Sequence, residues 1–443
     1  MKTRIFSAAL AAALVPALAA CAAGGPASRG EASAGTATPQ SAAADPAEAG
    51  SLQLLTPGTG QGYYVCGSNG GSPLLCYLDY ASAAEVPLCA RPNCEHNSES
   101  CTAWLPAGRM VSNLSAVGQG IAWIELDGIE GRVWLADADG AGRRQLPALP
   151  DGFAAETLAA QDGQALYCFA SKYGEGQTTT ALYRLPLDGG EAEQLLTLPQ
   201  PVPELKGVCG RSLVLYQYDW SGIEDIPRPE IPAGADEEEA RRLNDEYQEQ
   251  VAQVTGSHRV YLLDVDTGAE QELAGWTSRQ GSSGRAILWQ DDTLYWTADE
   301  DTGHIGWQTA AGETGQTAVR WPDTLPVGQG WYVTPERLVD GRLLVTAMDP
   351  DTIIVHRCAV DLQTGAAQEL TLRYVENATE QPVRVLAQSG DMVLVRFESQ
   401  IRDGLAGGDT EVQNRCGLIS LEDFFAGRPN YREITLHYAR DFS

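Results

Sequence analysis

A turn that keeps returning constrains this chain more than any other feature. From Gln61 onward, short β-rich runs alternate with turns built on Asp or Gly. The clearest unit starts at Asp162-Gly163, passes through runs at 165–170 and 181–187, and turns at Asp188-Gly189-Gly190 into a run at 193–197. Gly reaches positive φ without a Cβ clash, so Asp-Gly between alternating runs marks a hairpin. Comparable turns fall near Asp79, Asp139, Asp188, Asp266, Gly312, Thr364 and Gly427, with gaps of 60, 49, 78, 46, 52 and 63 residues. Two wide gaps carry insertions, at 89–101 and 223–256; without them they shrink to 47 and 44 residues. The last gap stays long with no visible insertion. A period of about 45 residues with four short strands is the spacing of a propeller blade. The expected fold is all-β: a β-propeller of about seven four-stranded blades over 51–443, with one helical insertion. One repeat array then accounts for 443 residues that would otherwise suggest several domains. A stack of β-sandwiches is the alternative architecture.

The N-terminus reads as an address. Lys2 and Arg4 precede a short Ala-rich apolar run, Ile5 to Leu18, that is too short and too weakly apolar to span a bilayer. Leu18-Ala19-Ala20-Cys21 resembles a bacterial lipobox. That resemblance implies cleavage after residue 20, a diacylglycerol thioether on Cys21, and an extracytoplasmic chain anchored by lipid to the cell membrane. An ordinary secretory signal is the alternative. Residues 22–50 contain no Leu, Ile, Val, Met or aromatic side chain, so segment 21–50 reads as a lipidated Cys followed by a disordered tether. Acids outnumber bases 59 to 30, and losing Lys2 and Arg4 takes the formal charge from −29 to −31. Nucleic acid is excluded as a partner class on that charge, and an anionic membrane surface would repel the chain, leaving the lipid as the anchor.

Within 223–256, a Pro-rich strap at 226–232 leads into an acidic stretch from Asp236 to Val251 that reads as a helix. Leu243, Tyr247, Val251 and Val254 lie on one apolar stripe. Packing against the propeller and docking a partner are both compatible with it.

The lipobox, tether and propeller cadence together resemble the TolB-like or lipoprotein-receptor-like propeller lipoproteins of bacteria. Cys89-Ala-Arg-Pro-Asn-Cys94-Glu-His96, continuing to Cys101, is similar to a Cys/His insertion found in that group. The resemblance implies the fold and the envelope location, and it supplies no catalytic residues.

Ten cysteines are present. With Cys21 assigned to lipid, nine remain, an odd number for an exported chain that would pair them. Cys89, Cys94, His96 and Cys101, spaced C-x4-C-x-H-x4-C, offer three thiolates and an imidazole, a donor set suited to structural zinc. Six thiols would then be left for three disulfides: Cys66 with Cys76, Cys168 with Cys209, and Cys358 with Cys416. One residue between Cys94 and His96 makes shared coordination tight. Local disulfide stapling of the insertion and redox chemistry are the competing readings.

No zincin, α/β-hydrolase or β-lactamase signature is present. His258, His304, His356 and His437 are scattered and read as packed or surface residues. Asp137/Asp139 and Asp299/Asp301 offer oxygens to calcium, but turn chemistry explains both. Six of ten tryptophans fall between 276 and 331, and Trp289, Trp296 and Trp307 are the candidate ligand face. The expected function is binding of an envelope protein, peptide or glycan without catalysis and without a cofactor beyond structural zinc. The alternatives are a carbohydrate-active hydrolase or lyase using propeller-face carboxylates, and a metal-dependent sensor or docking protein acting through the Cys/His insertion.

Overall fold

The computed structural model describes residues 50–438, apart from 175–176, 233, 281–283, 329, 377–378 and 404–409. The signal segment, Cys21 and the tether up to residue 49 lie outside the described residues. Seven antiparallel sheets follow one another along the chain as the blades of a β-propeller, and the described chain holds two α-helices. The chain divides into two compact units, residues 199–369 and residues 50–198 with 370–438.

The second of these units holds blades 1, 2, 3 and 7. Blade 1 has three strands, Gly62–Asn69, Ser72–Asp79 and Ala84–Pro87. Blade 2 begins at Met110–Val117 and blade 3 at Ala154–Gln161. Blade 3 gains a fifth strand, Gln53–Leu54, beside its first. Blade 7 runs from Arg384–Ser389 to Arg432–Ile434. Residues 199–369 form blades 4, 5 and 6, which begin at Glu204–Cys209, Arg285–Gln290 and Tyr332–Val339.

The recurring turns are made by local chemistry. Asp264 Oδ1 accepts the N–H groups of Asp266 and Thr267 at 3.1 and 2.8 Å, and Gly268 follows at φ +71°. Asp361 repeats this with Gln363 and Thr364 at 2.9 and 2.8 Å, and Gly365 stands at φ +72°. A Cβ on Gly365 would lie 1.9 Å from Ala318 O, so only glycine allows blades 5 and 6 to approach there. Six of the seven turns join the third and fourth strands of a blade; the one at Asp79 joins the second and third strands of blade 1.

Three departures from regular four-stranded blades have visible causes. The long last interval contains an extra hairpin, Arg373–Glu376 with Thr379–Pro382. The helical insertion joins the second and third strands of blade 4; its helix, Glu237–Val251, starts where Asp236 accepts the Glu239 N–H at 2.9 Å. Leu243 and Tyr247 are half-buried and Val251 is buried, as the stripe requires. Blade 1 lacks a fourth strand of its own, and the segment after blade 7 runs beside its third strand. Ala84 bridges Thr435 in parallel, with Glu85 N donating to Thr435 O at 3.1 Å and Thr435 N to Ala83 O at 3.2 Å. Middle strands carry the core: Leu74, Leu75, Leu166, Leu213, Leu343 and Val393 are all fully enclosed. Each such side chain contributes ~1.5–3 kcal/mol by leaving water.

Candidate functional site

The Cys/His insertion is an excursion from one strand of blade 1. The third strand pairs with Ser72–Asp79 as far as Leu88, whose N–H donates to Leu75 O at 2.9 Å. The chain then leaves the sheet and returns to the same edge, where Ala103 O accepts the Leu75 N–H at 2.9 Å and Leu105 N donates to Pro73 O at 3.0 Å. The two ends of the excursion are therefore fixed by one strand, and residues 89–102 project as a closed knuckle.

Two left-handed residues fold it. Asn93 has φ +55° and His96 φ +52°, so the backbone reverses twice within four residues. This resolves the tight spacing between Cys94 and His96. The His96 ring turns back to place Nδ1 3.2 Å from Cys101 Sγ. One ligand atom from each of Cys89, Cys94, His96 and Cys101 lies within 4.8 Å of the others. Around a tetrahedral zinc with Zn–S of ~2.3 Å, neighbouring sulfurs stand about 3.8 Å apart. Contraction by about an ångström closes the set, so the residues fit the metal in type and geometry. The knuckle is braced from outside: Asn69 Nδ2 donates to Glu95 O and His96 O at 3.1 and 2.9 Å, and Thr102 Oγ1 donates to Leu88 O at 2.8 Å. Arg91 reaches Ser100 O, and Arg143 reaches Thr102 O and Trp104 O.

The thiols are electrostatically unequal. Burial opposes ionisation of Cys89, but N–H donors from Arg91 and Thr102, with the Cys101 thiol and the Thr102 hydroxyl, hold it below the usual thiol range. Cys101 is pushed up to about 12, by burial first and further by the neighbouring Cys89. Burial also lowers the His96 imidazole, which favours its neutral, ligating form.

All nine cysteines of the described chain are free thiols. Cys66 and Cys76 lie in one hairpin, but Cys76 stands opposite Val65 and Cys66 opposite Leu75. Alternation along the strand thus sends the two thiols to opposite faces, which keeps them from pairing. Cys168, Cys358 and Cys416 are fully buried in blades 3, 6 and 7, and Cys209 is half-buried in blade 4. Neither Cys168–Cys209 nor Cys358–Cys416 is joined.

The three candidate tryptophans separate. Trp289 is 7% exposed, donates to Val208 O at 3.1 Å and lies so close to Gly207 that a Cβ there would meet it at 2.3 Å; it packs blade 4 against blade 5 and offers no face to a ligand. Trp296 packs toward blade 4 and Trp307 toward blade 6, on opposite faces of blade 5. Each indole covers a glycine directly across the strand pair, Gly306 under Trp296 and Gly315 under Trp307, where a Cβ would stand 2.1 Å from the ring.

Trp296 instead shares a cleft that sequence reading missed. Arg285, from the first strand of blade 5, stands 5.2 Å from the ring centres of both Trp276 and Trp296. Trp276 stacks in turn on Tyr216 and His258, at 5.9 and 5.3 Å. Beside Arg285 and Trp296 opens a shallow cleft of about 560 Å³ with Gln308, Thr314 and Gln316 on its wall. Of its nine described lining residues, Arg285 alone is ionisable. Trp276, Arg285 and Trp296 lie within 21 residues but on three separate strands of two blades, so no local periodicity marks them as neighbours.

The remaining candidates are structural. His258 bonds Tyr216 Oη and Ser278 Oγ, each at 2.7 Å, His304 bonds Asp301 at 2.9 Å, and His356 bonds Glu369 at 2.8 Å. Asp139 Oδ1 accepts the Ala141 N–H and Asp301 Oδ1 the Gly303 N–H, as turn chemistry requires, while Asp299 Oδ2 accepts the Gly284 N–H across the first strand pair of blade 5.

No family profile matches the chain, and no curated protein matches it. Among solved structures it is similar to a prolyl endopeptidase, with TM-score 0.51 and 11% identity over 84% of this chain and 49% of that one. The chain thus spans about half the length of that protein, and the likeness concerns the fold. It is also similar to an oligogalacturonate lyase from Vibrio parahaemolyticus, with TM-score 0.42 and 10% identity over 85% of each chain. A third similar structure is a protein described as TolB from Agrobacterium tumefaciens, with TM-score 0.32 and 12% identity over 66% of this chain and 85% of that one.

Proposed function

We propose that this chain is a lipid-anchored envelope protein whose propeller binds a protein, peptide or glycan without transforming it. Cys21 carries the anchor and the tether holds the propeller away from the membrane. A structural zinc in Cys89, Cys94, His96 and Cys101 locks the knuckle of blade 1. Three thiolates and an imidazole leave no open position on a tetrahedral ion, so the metal shapes the blade and takes no substrate.

One observation carries the binding reading. The cleft beside Trp296 combines a flat indole, amide and hydroxyl groups and a single cation; its described lining residues include no carboxylate or imidazole, and one carboxylate, Glu272, stands beside the lining Gly275. Such a surface recognises a ligand by stacking and hydrogen bonding. A hydrolase or lyase working there would need an acid–base pair with separated pKa values. Titrating the purified chain with oligosaccharides and peptides while following tryptophan fluorescence tests the reading. The expected result is saturable binding, weakened at least tenfold by Trp296→Ala, with the ligand recovered intact by mass spectrometry. Recovery of cleaved or eliminated product, formed in proportion to protein, would replace binding with catalysis.

A further inference from the structure

Arg285 is placed unlike the paired arginines of blades 4 and 6. Arg259 pairs with Glu270 at 2.7 Å, Arg357 with Glu336 at 2.6 Å and Arg211 with Asp266 at 2.6 Å. Acids outnumber bases almost two to one, yet no carboxylate among the described residues pairs with Arg285. Its neighbours are the indole rings of Trp276 and Trp296, at 5.2 Å on each. Partial burial works against its charge. A guanidinium stacked on aromatic faces retains its N–H edge for a planar, bidentate partner. The cleft provides the space for that partner.

The rest of the wall narrows the ligand's chemistry. Alternation places Trp296, Gly306 and Gln316 on the same face of blade 5, since Trp296 stands opposite Gly306 and Gly306 opposite Gln316. Gln308 and Thr314, also paired, continue that face. An indole beside amides and a hydroxyl suits a ring with apolar C–H on its faces and hydroxyls around its rim, which describes a sugar. The unpaired cation adds one demand that a neutral sugar does not meet.

We propose that the cleft beside Arg285 and Trp296 binds a carboxylate-bearing sugar within a glycan, the ring packing on Trp296 and the carboxylate meeting Arg285. This rests on the binding reading above and deepens it by naming the ligand class. In a chain where acids outnumber bases, Arg285 offers a sugar carboxylate one cationic partner at short range.

Two tetrasaccharides with the same linkage separate the terms. Cellotetraose is neutral, and its cellouronate counterpart carries a carboxylate at C6 of each ring. A tetraglutamate peptide supplies the charge without the sugar. Isothermal titration of the full chain should show cellouronate binding at least tenfold tighter than cellotetraose. Arg285→Gln should remove that preference by weakening cellouronate far more than cellotetraose, whereas Trp296→Ala should weaken both sugars. Arg285→Lys, which keeps the charge but not the fork, should retain part of the preference and guards against a fold defect in the Gln variant. Equal affinity for the two sugars, insensitive to Arg285→Gln but lost in Trp296→Ala, would overturn the carboxylate inference and leave the binding reading intact. Tighter binding of the peptide than of either sugar would overturn the glycan class alone. A folded wild-type chain that binds none of the three would overturn the inference here and remove the observation that carries the binding reading.

Discussion

His96 shows what one residue contributes to the knuckle. In sequence it stands too near Cys94 for comfortable shared coordination; in the fold its backbone adopts φ +52° and brings its ring to Cys101 Sγ. The donor set was legible because four ligand-type side chains within 13 residues are rare outside metal sites or disulfide staples. The left-handed turns that close it were not, since Asn tolerates that conformation often and His only sometimes. If zinc holds the four, elemental analysis of the purified chain should find close to one zinc per molecule. Cys94→Ser should abolish it and lower the melting temperature by about 2–3 °C, the effect of a loss of ~2 kcal/mol in a chain of this size. A metal-free protein that melts at the same temperature as the Cys94→Ser variant would remove zinc from the description. The tryptophans teach the opposite lesson. Trp296 and Trp307 are close in sequence and part of the same blade, yet Trp307 stands opposite Tyr295 rather than Trp296, so alternation sends the two indoles to opposite faces.

Among elements, the helix Glu237–Val251 was read almost residue for residue. Its cap and apolar stripe are local signals, and its largely exposed surface leaves tertiary contacts little opportunity to override them. The outer edge of blade 1 was not legible, because its neighbour comes from the other end of the chain. Glu85 is 5% exposed and accepts the N–H groups of His437 and Tyr438 at 2.5 and 2.7 Å. Tyr438 O takes the Ser68 N–H at 3.0 Å, and the Tyr438 ring lies edge-on to His96, centroids 6.2 Å apart. The trailing segment is thus pinned beside the knuckle. Glu85→Ala would leave two backbone donors without their charged acceptor, at a cost of about 2–3 kcal/mol. Hydrogen exchange at 435–438 should quicken well before the rest of blade 7 does; unchanged protection there would show that the pairing with Ala83 and Glu85 backbone suffices.

For the molecule as a whole, the formal charge of −29 belongs to the surface of a propeller rather than to any described catalytic cluster. The proposed anchor is then the one strong link to a membrane, since acidic protein and anionic lipid repel. Expressed in a bacterium that processes lipoproteins, the native chain should fractionate with membranes and incorporate labelled fatty acid. Cys21→Ser should release it and take up no label. Label retained by the variant, or a native chain that never acquires it, would sink the lipid reading.

The sequence by itself determined the repeat, the approximate blade count, the helical insertion and the knuckle's donor set. Each of these rests on interactions among residues a few positions apart: Asx turns, glycines at positive φ, a helix cap, ligands on one short loop. Only the tertiary structure decided that Trp289 is buried, that Trp296 and Trp307 face different blades, that Arg285 lies between Trp276 and Trp296, and that the first blade is completed by the end of the chain. Those facts depend on strand register and on which blade packs against which face. A one-residue slip in either reverses every side chain on a strand, and no local pattern records it.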